Sequence, residues 1–108
     1  AYTGFNAILE LINDDLRNKV ATQVVDELLL KAQTGDKIAP LQLGKTYLRL
    51  FVEAQNQPAY LWLSIAQAYG NESASALLEE ATSQLSLEEI LLQQDKALVT
   101  FNEITQQN

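Results

Sequence analysis

The stretch GDKIAPLQL at residues 35–43 decides the fold, because GNESASALL at residues 70–78 partly repeats it. Each stretch opens with a glycine followed by Asp or Asn, and each then has an alanine and a leucine at the same distances, 35 residues apart. A period between about 20 and 50 residues is typical of solenoids, whose helical hairpins bury their apolar faces only by stacking on each other. The sequence therefore predicts helical hairpins laid side by side.

Helical periodicity extends over most of the chain and predicts about six helices with short connections and no strands. Their approximate ranges are 5–17, 23–33, 36–54, 58–69, 71–84 and 86–104, with a break expected over 18–22. The predicted fold class is therefore all-α. We expect residues 1–108 to form a single domain, since domains typically have about 100 to 150 residues.

Specific residues mark where these helices end and begin. Gly35 and Gly70 are expected to end the second and fourth helices, because glycine adopts the left-handed conformation of a helix end without steric strain. Asp36 and Asn71 follow them and are predicted to cap the next helices through their side-chain oxygens. A Ser-x-x-Glu pattern at 86–89 is a capping box that should open the last helix.

The net charge of −7 lies in the second half of the chain. Residues 1–50 hold six basic and six acidic groups, whereas residues 51–108 hold eight acidic groups and one basic group, Lys96. Proteins that bind nucleic acids or anionic membrane surfaces need clustered Lys and Arg, so we predict neither as a partner. No apolar run approaches the roughly 20 residues that span a bilayer, which predicts a soluble protein without membrane insertion.

Residues for catalysis are scarce. The chain has no cysteine and no histidine, which removes thiolate metal sites and the commonest general base and metal ligand. The acidic pairs at 14–15, 79–80 and 88–89 are adjacent in sequence, and adjacent helical residues diverge rather than converge on a substrate. No glycine-rich phosphate loop occurs, and no histidine is present to activate a serine. We therefore predict a protein that is not an enzyme and has no catalytic site, cofactor or metal.

The repeated residues resemble the Sel-one-like repeats, a family of α-helical hairpins related to the tetratricopeptide repeats. The residues that match the second half of the family pattern are Thr34-Gly35-Asp36, Ala39, Leu43-Gly44 and Tyr47. Those that match the junction into the next unit are Ala59, Trp62, Ala66, Gly70-Asn71 and Ala74. The resemblance covers about residues 23–105, is best over 23–70, and implies a short right-handed α-α solenoid.

Several positions depart from the family pattern. Glu27 stands where the first unit would have its tryptophan, and Glu79 and Thr82 replace the glycine and tyrosine expected in the fifth helix. We interpret residues 71–108 as C-terminal capping helices, because a terminal unit has no neighbour to pack against. Residues 1–22 are interpreted as an N-terminal helix or cap.

The resemblance also implies a function and an origin. It indicates a non-enzymatic, bacterial protein–protein interaction scaffold or adaptor that holds a peptide or a partner helix in a solenoid groove. It leaves both an exported, periplasmic location and a cytoplasmic one open. Because residue 1 is Ala rather than Met, we expect an upstream segment to have been removed. The oligomeric state is not predicted.

Five residues are candidates for the partner-binding surface. Gln42, Lys45 and Arg49 fall at spacings of three and four on the third predicted helix, opposite its apolar stripe, where they would line a concave groove. Tyr60 and Tyr69 are added because tyrosine is enriched at interfaces. The alternative interpretation is that the first three form a solvated helix face and that the tyrosines belong to the core.

Two other functions compete with the scaffold. The first is a small acidic inhibitor or immunity-type protein, whose acidic C-terminal half neutralises a basic protein target. Strong salt dependence of binding would favour it, because salt screens attraction between exposed charges. The second is a spacer or fragment within a longer array, with no partner of its own.

Overall fold

Five helices make up the part of the chain that the computed structural model describes, which is the backbone of residues 2–107 and the side chains of residues 10–106. They are α1 (Tyr2–Gln33), α2 (Ala39–Arg49), α3 (Asn56–Ala68), α4 (Ala74–Thr82) and α5 (Leu87–Gln107). No strand occurs within this part, so the all-α prediction is confirmed. α3 lies at the centre and packs against α2, α4 and α5, and α1 packs against α2.

The first two predicted helices form one continuous helix, α1, and the break expected over 18–22 is absent. No glycine or proline lies between residues 5 and 34, and Asn and Asp each cost a helix interior only about 0.7 kcal/mol or less relative to alanine. An exposed ion pair from Lys19 to Asp15, at 3.3 Å, adds a little local support. The described chain therefore has five helices rather than the predicted six.

Side chains at the expected break bind the end of α2. Arg17 donates from Nε to the carbonyl of Leu50 at 2.8 Å and from Nη2 to the carbonyl of Arg49 at 2.9 Å. Asn18 Oδ1 accepts the N–H of Val52 at 3.0 Å. The last carbonyls of a helix have no partner within it, and Arg17 supplies one here. α2 therefore ends earlier than the sequence predicts, and the chain turns into α3.

The two glycine turns share one geometry. Gly35 and Gly70 have φ values of 93° and 90°, in the left-handed region where only glycine is free of strain. In both turns the N–H after the glycine donates to the carbonyl five residues earlier, at 3.1 and 3.0 Å. Asp36 and Asn71 then accept, through Oδ1, the N–H two residues ahead, at 2.8 and 3.1 Å. The predicted helix ends are confirmed, but the next helices begin three residues later than predicted, at Ala39 and Ala74. This local geometry recurs 35 residues along the chain.

The core lies on both sides of the contact between α2 and α3. A Cβ at Gly44 would overlap the fully buried side chain of Leu63, so only glycine allows the two helices to approach this closely. Trp62 is 7% exposed and belongs to an apolar cluster that joins α1, α2, α3 and α5. A second cluster joins α2, α3 and α4. Gly44 therefore permits the close approach of the two helices, and Trp62 lies in the core.

α5 begins with the predicted capping box. The N–H of Ser86 donates to Glu89 Oε1 at 2.9 Å, and the N–H of Glu89 donates to Ser86 Oγ at 3.1 Å. The other carboxylate oxygen of Glu89 accepts Gln57 Nε2 at 2.8 Å, and Gln57 Oε1 accepts Nε2 of the buried Gln93 at 3.0 Å. This hydrogen-bonded chain fixes the start of α5 against the start of α3.

α1 determines the elongated shape of the protein. A helix of 32 residues is about 48 Å long at 1.5 Å per residue, and the longest dimension of the molecule is 57 Å. Every residue from 10 to 20 is exposed, and Ala21 is the first buried residue after them. Apart from Arg17 and Asn18, which bind the backbone at the end of α2, this part of α1 therefore extends beyond the packed body. No helix in the described part of the chain is long and apolar enough to cross a membrane.

Candidate functional site: a groove along α3

An open groove runs along α3, with α4 on one side and α5 on the other. It consists of two adjoining hollows that share Tyr60 and Gln67. The hollow between α3 and α5 has a volume of about 270 Å³, and the hollow between α3 and α4 about 570 Å³. Together they are large enough for several side chains of a bound segment, and we call them the α3 groove.

The floor of the α3 groove is a polar stripe on a largely apolar helix. Tyr60, Ser64 and Gln67 follow one another at spacings of four and three, so they lie on one face of α3. The buried Tyr60 accepts Gln94 Nε2 at its Oη at 3.0 Å, and Ser64 Oγ donates to the carbonyl of Tyr60 at 2.8 Å. The exposed Gln67 makes a longer bond, 3.3 Å from Nε2 to Ser75 Oγ, which it can exchange for a bond to a partner.

The walls of the groove are more apolar than its floor. Leu98 and Phe101 form much of the α5 wall, and Leu98 is 62% exposed. Phe101 meets the ring of Tyr69 edge to face, with ring centroids 5.2 Å apart, which fixes this wall to the end of α3. The α4 wall carries Leu78 beside Glu79. A bound segment would therefore find apolar surface on both sides of hydrogen-bonding groups.

The charge in the groove is negative. Among the described residues, Glu79 is the one charged side chain that lines either hollow, and α3 itself has no charged residue. Within the described part of the chain, no basic side chain lines the groove to neutralise Glu79. The groove is therefore suited to a partner that carries a basic group near its apolar side chains.

The structure places three of the predicted site residues outside the groove. Gln42, Lys45 and Arg49 are all exposed on α2. Arg49 binds Glu80 on α4 through both guanidinium Nη atoms, with Nη2 2.7 Å from Oε1. This hydrogen bond lowers the pKa of Glu80 and raises that of Arg49. Because Glu80 points to α2 and Glu79 lines the groove, α4 separates the two surfaces.

The two predicted tyrosines lie at or beside the groove. Tyr60 forms part of its floor, and the half-buried Tyr69 supports Phe101 from the end of α3. Sequence reasoning did not find Ser64, Gln67 or Leu98. The signal for the first two was present, since polar residues at the fourth and seventh positions after Tyr60 mark one face of an otherwise apolar helix.

The side chains in the groove are mainly hydrogen-bonding and apolar groups. Within the residues described, no three acidic side chains come together in a way that could hold a metal ion. Ser64 Oγ donates to a backbone carbonyl rather than to a basic side chain. The groove therefore offers hydrogen bonds, apolar surface and one negative charge.

Comparison of the chain with protein-family models, with curated proteins and with solved structures found no match. The resemblance to the Sel-one-like repeats therefore depends on the residues of this chain alone.

Proposed function

We propose that the protein is a non-enzymatic interaction module that binds a peptide or a partner helix in the α3 groove. The observation that carries this proposal is the exposed apolar side chain of Leu98, which faces the polar stripe of Ser64 and Gln67 across an open groove. Buried apolar anchors supply most of the affinity in peptide recognition, and polar groups fix orientation. Both elements are present here on rigid helices.

The recurrence of the glycine turns supports a repeat architecture of the Sel-one-like type. Gly35 and Gly70 close α1 and α3 with the same hydrogen bonds, and buried alanines open α2 and α4 at equivalent positions. Repeat proteins commonly bind extended segments along a concave surface. A peptide ligand is accordingly the class of partner that we propose.

A selection from a displayed library of random 16-residue peptides tests the proposal. Binders to the unmodified protein are counter-selected on Leu98→Glu, which places a charge on the exposed apolar wall. The matched control is Val99→Glu, because Val99 is equally accessible on the same helix, 56% exposed, but does not line the groove. We expect peptides that bind the unmodified and Val99→Glu proteins and lose at least about tenfold in affinity to Leu98→Glu. Failure to obtain any groove-dependent peptide would overturn the proposal.

A second candidate function is a small acidic inhibitor of a basic protein. The charge distribution favours it, since residues 51–108 hold eight acidic groups and only Lys96 as a basic group. Binding of such a partner would weaken steeply with added salt, because the acidic groups are mostly exposed. Peptide binding anchored at Leu98 would depend weakly on salt, so affinities measured at low and high ionic strength separate the two functions.

A further inference from the structure

The N-terminal part of α1 carries an apolar stripe that has no partner among the described residues of the body. Ile12, Leu16 and Val20 are spaced by one helical turn, and each is about half exposed, Leu16 to 54%. The side of α1 that meets the body is marked instead by Arg17 and Asn18, which bind the backbone after α2. The apolar stripe therefore faces away from the rest of the molecule.

The length of this segment matches that of the α3 groove. Residues 10–20 form a helix about 16 Å long, and the 13 residues of α3 span about 20 Å. Helices with apolar residues at these spacings are a common occupant of grooves between helices. The chain thus carries both an open groove and an exposed helix of suitable size.

One pair of charges on the two surfaces is complementary, although residues 10–20 as a whole hold three acidic and two basic groups. Lys19 follows Leu16 by three residues, so it lies on the same side of α1 as the apolar stripe, and its side chain is 68% exposed. Its bond to Asp15 is between two exposed groups and contributes little free energy. The groove presents Glu79 beside Leu78 and no basic residue. Residues 10–20 of a second molecule would therefore bring the Lys19 ammonium group close to the Glu79 carboxylate.

We infer that the α3 groove of one molecule receives residues 10–20 of a second copy of this chain, an inference that rests on the groove being a binding site as proposed above. Leu16 and its neighbours in the stripe pack against Leu98 and Phe101, and Lys19 pairs with Glu79. The two surfaces in contact are different, so each molecule still has one unused groove or helix after pairing. Such head-to-tail contacts produce longer oligomers unless the rotation between successive molecules closes a ring.

Sedimentation velocity over a range of protein concentrations tests this self-association. The unmodified protein should grow beyond the dimer as concentration rises. Leu16→Glu and Leu98→Glu should each raise the dissociation constant at least about tenfold and remain monomeric at concentrations where the unmodified protein associates. Their matched controls are Leu11→Glu, on another face of α1, and Val99→Glu, and both should associate normally. Circular dichroism checks the fold of the four variants, and we expect all of them to fold because the substituted positions are exposed.

A mixture of Leu16→Glu and Leu98→Glu, neither of which should associate by itself, gives the decisive result. Leu16→Glu keeps an intact groove and Leu98→Glu keeps an intact α1, so an equal mixture should form a dimer that grows no further. If α1 of one molecule pairs with α1 of another instead, Leu98→Glu should dimerise by itself. Mixing it with Leu16→Glu should then produce no additional dimer. This result overturns the inference. A monomeric unmodified protein also overturns it. If groove-dependent peptides are nevertheless selected, the proposed function stands and only the identity of the partner is wrong.

Discussion

Loss of the Trp62 side chain should cost a large part of the stability of the fold. Its ring is almost fully buried in the cluster that joins four helices. Truncation of a buried tryptophan costs about 3–5 kcal/mol, a large part of a typical stability of about 5–15 kcal/mol. We expect Trp62→Ala to unfold at a much lower urea concentration, whereas the exposed substitution Val99→Ala should change stability by about 0.5 kcal/mol or less. Equal urea midpoints for the two variants would remove Trp62 from the core.

Tyr47 should make stability fall at alkaline pH. Burial raises the pKa of its hydroxyl above the usual 10.0, and the carboxylate of Asp26 adds to the shift. Because the folded state holds this proton more tightly than the unfolded state, the contribution is complete below about pH 10 and is lost as the pH rises through the folded-state pKa. Thermal unfolding at about pH 9 to 11 should show a shallower decline for Tyr47→Phe than for the unmodified protein. Identical declines would contradict this assignment.

Residue-level predictions from the sequence succeeded where the cause was local. The left-handed turns need glycine at Gly35 and Gly70 whatever the rest of the chain does, and their sign of φ was predictable. The roles of Arg17 and Asn18 were not, because their hydrogen bonds reach backbone atoms more than 30 residues away. Such contacts exist only once α1 and α2 have packed together.

At the scale of the element, the capping box should contribute measurably to α5. Ser86→Ala removes the hydroxyl that accepts the N–H of Glu89, and loss of a helix cap costs about 1 kcal/mol. Ser86→Asp keeps an acceptor at the same position and should restore most of the lost stability. The measurement is urea unfolding of the three proteins. A stability of Ser86→Ala equal to that of the unmodified protein would show that the cap contributes nothing.

The continuity of α1 gives a second prediction for an element. Hydrogen exchange should show unbroken protection of amides 18–22, apart from any fraying shared with the rest of the N-terminal segment. In Asn18→Ala the amide of Val52 loses its acceptor and should exchange at least about tenfold faster. Asn13→Ala, on an exposed part of α1, is the control and should leave Val52 unchanged. A gap in protection over 18–22 would restore the two-helix interpretation.

α1 and α5 differ in how well the sequence predicts the positions of helix boundaries. α5 starts where its own capping residues specify, so its beginning was predictable from residues 86–89. α1 continues through 18–22, where a break was predicted, and Arg17 and Asn18 bind backbone groups at and after the end of α2. Boundaries that depend on packing are therefore the ones that sequence periodicity misses.

For the whole molecule, the groove was only partly predictable. Tyr60 was selected from the sequence as an interface residue, and it lies in the groove floor. The wall that faces it comes from Leu98 and Phe101, which lie beside α3 because the apolar cluster around Trp62 and the polar chain through Gln57 and Gln93 hold α5 there. The sequence shows the residue types on each helix but not which two helices leave a gap between them.

The charge of the molecule should affect the rate of binding more than its strength. The acidic second half, with Glu79 in the groove, attracts basic partners at a distance, while the apolar contacts form only on close approach. We expect Glu79→Gln to slow association with a groove-binding peptide that carries Lys or Arg and to leave dissociation nearly unchanged. Stopped-flow fluorescence of a labelled peptide measures both rates. If Glu79→Gln instead raises only the dissociation rate, Glu79 makes a close contact with the peptide in the complex.

The most direct test of the central claim, that the α3 groove is the binding site, is calorimetric titration of one selected peptide into three proteins. The unmodified protein and Val99→Glu should bind it with equal affinity, and Leu98→Glu should bind it at least about tenfold more weakly. Equal affinity for all three proteins, or a loss caused by Lys45→Glu on the exposed face of α2 instead, would contradict the account and place the site outside the groove.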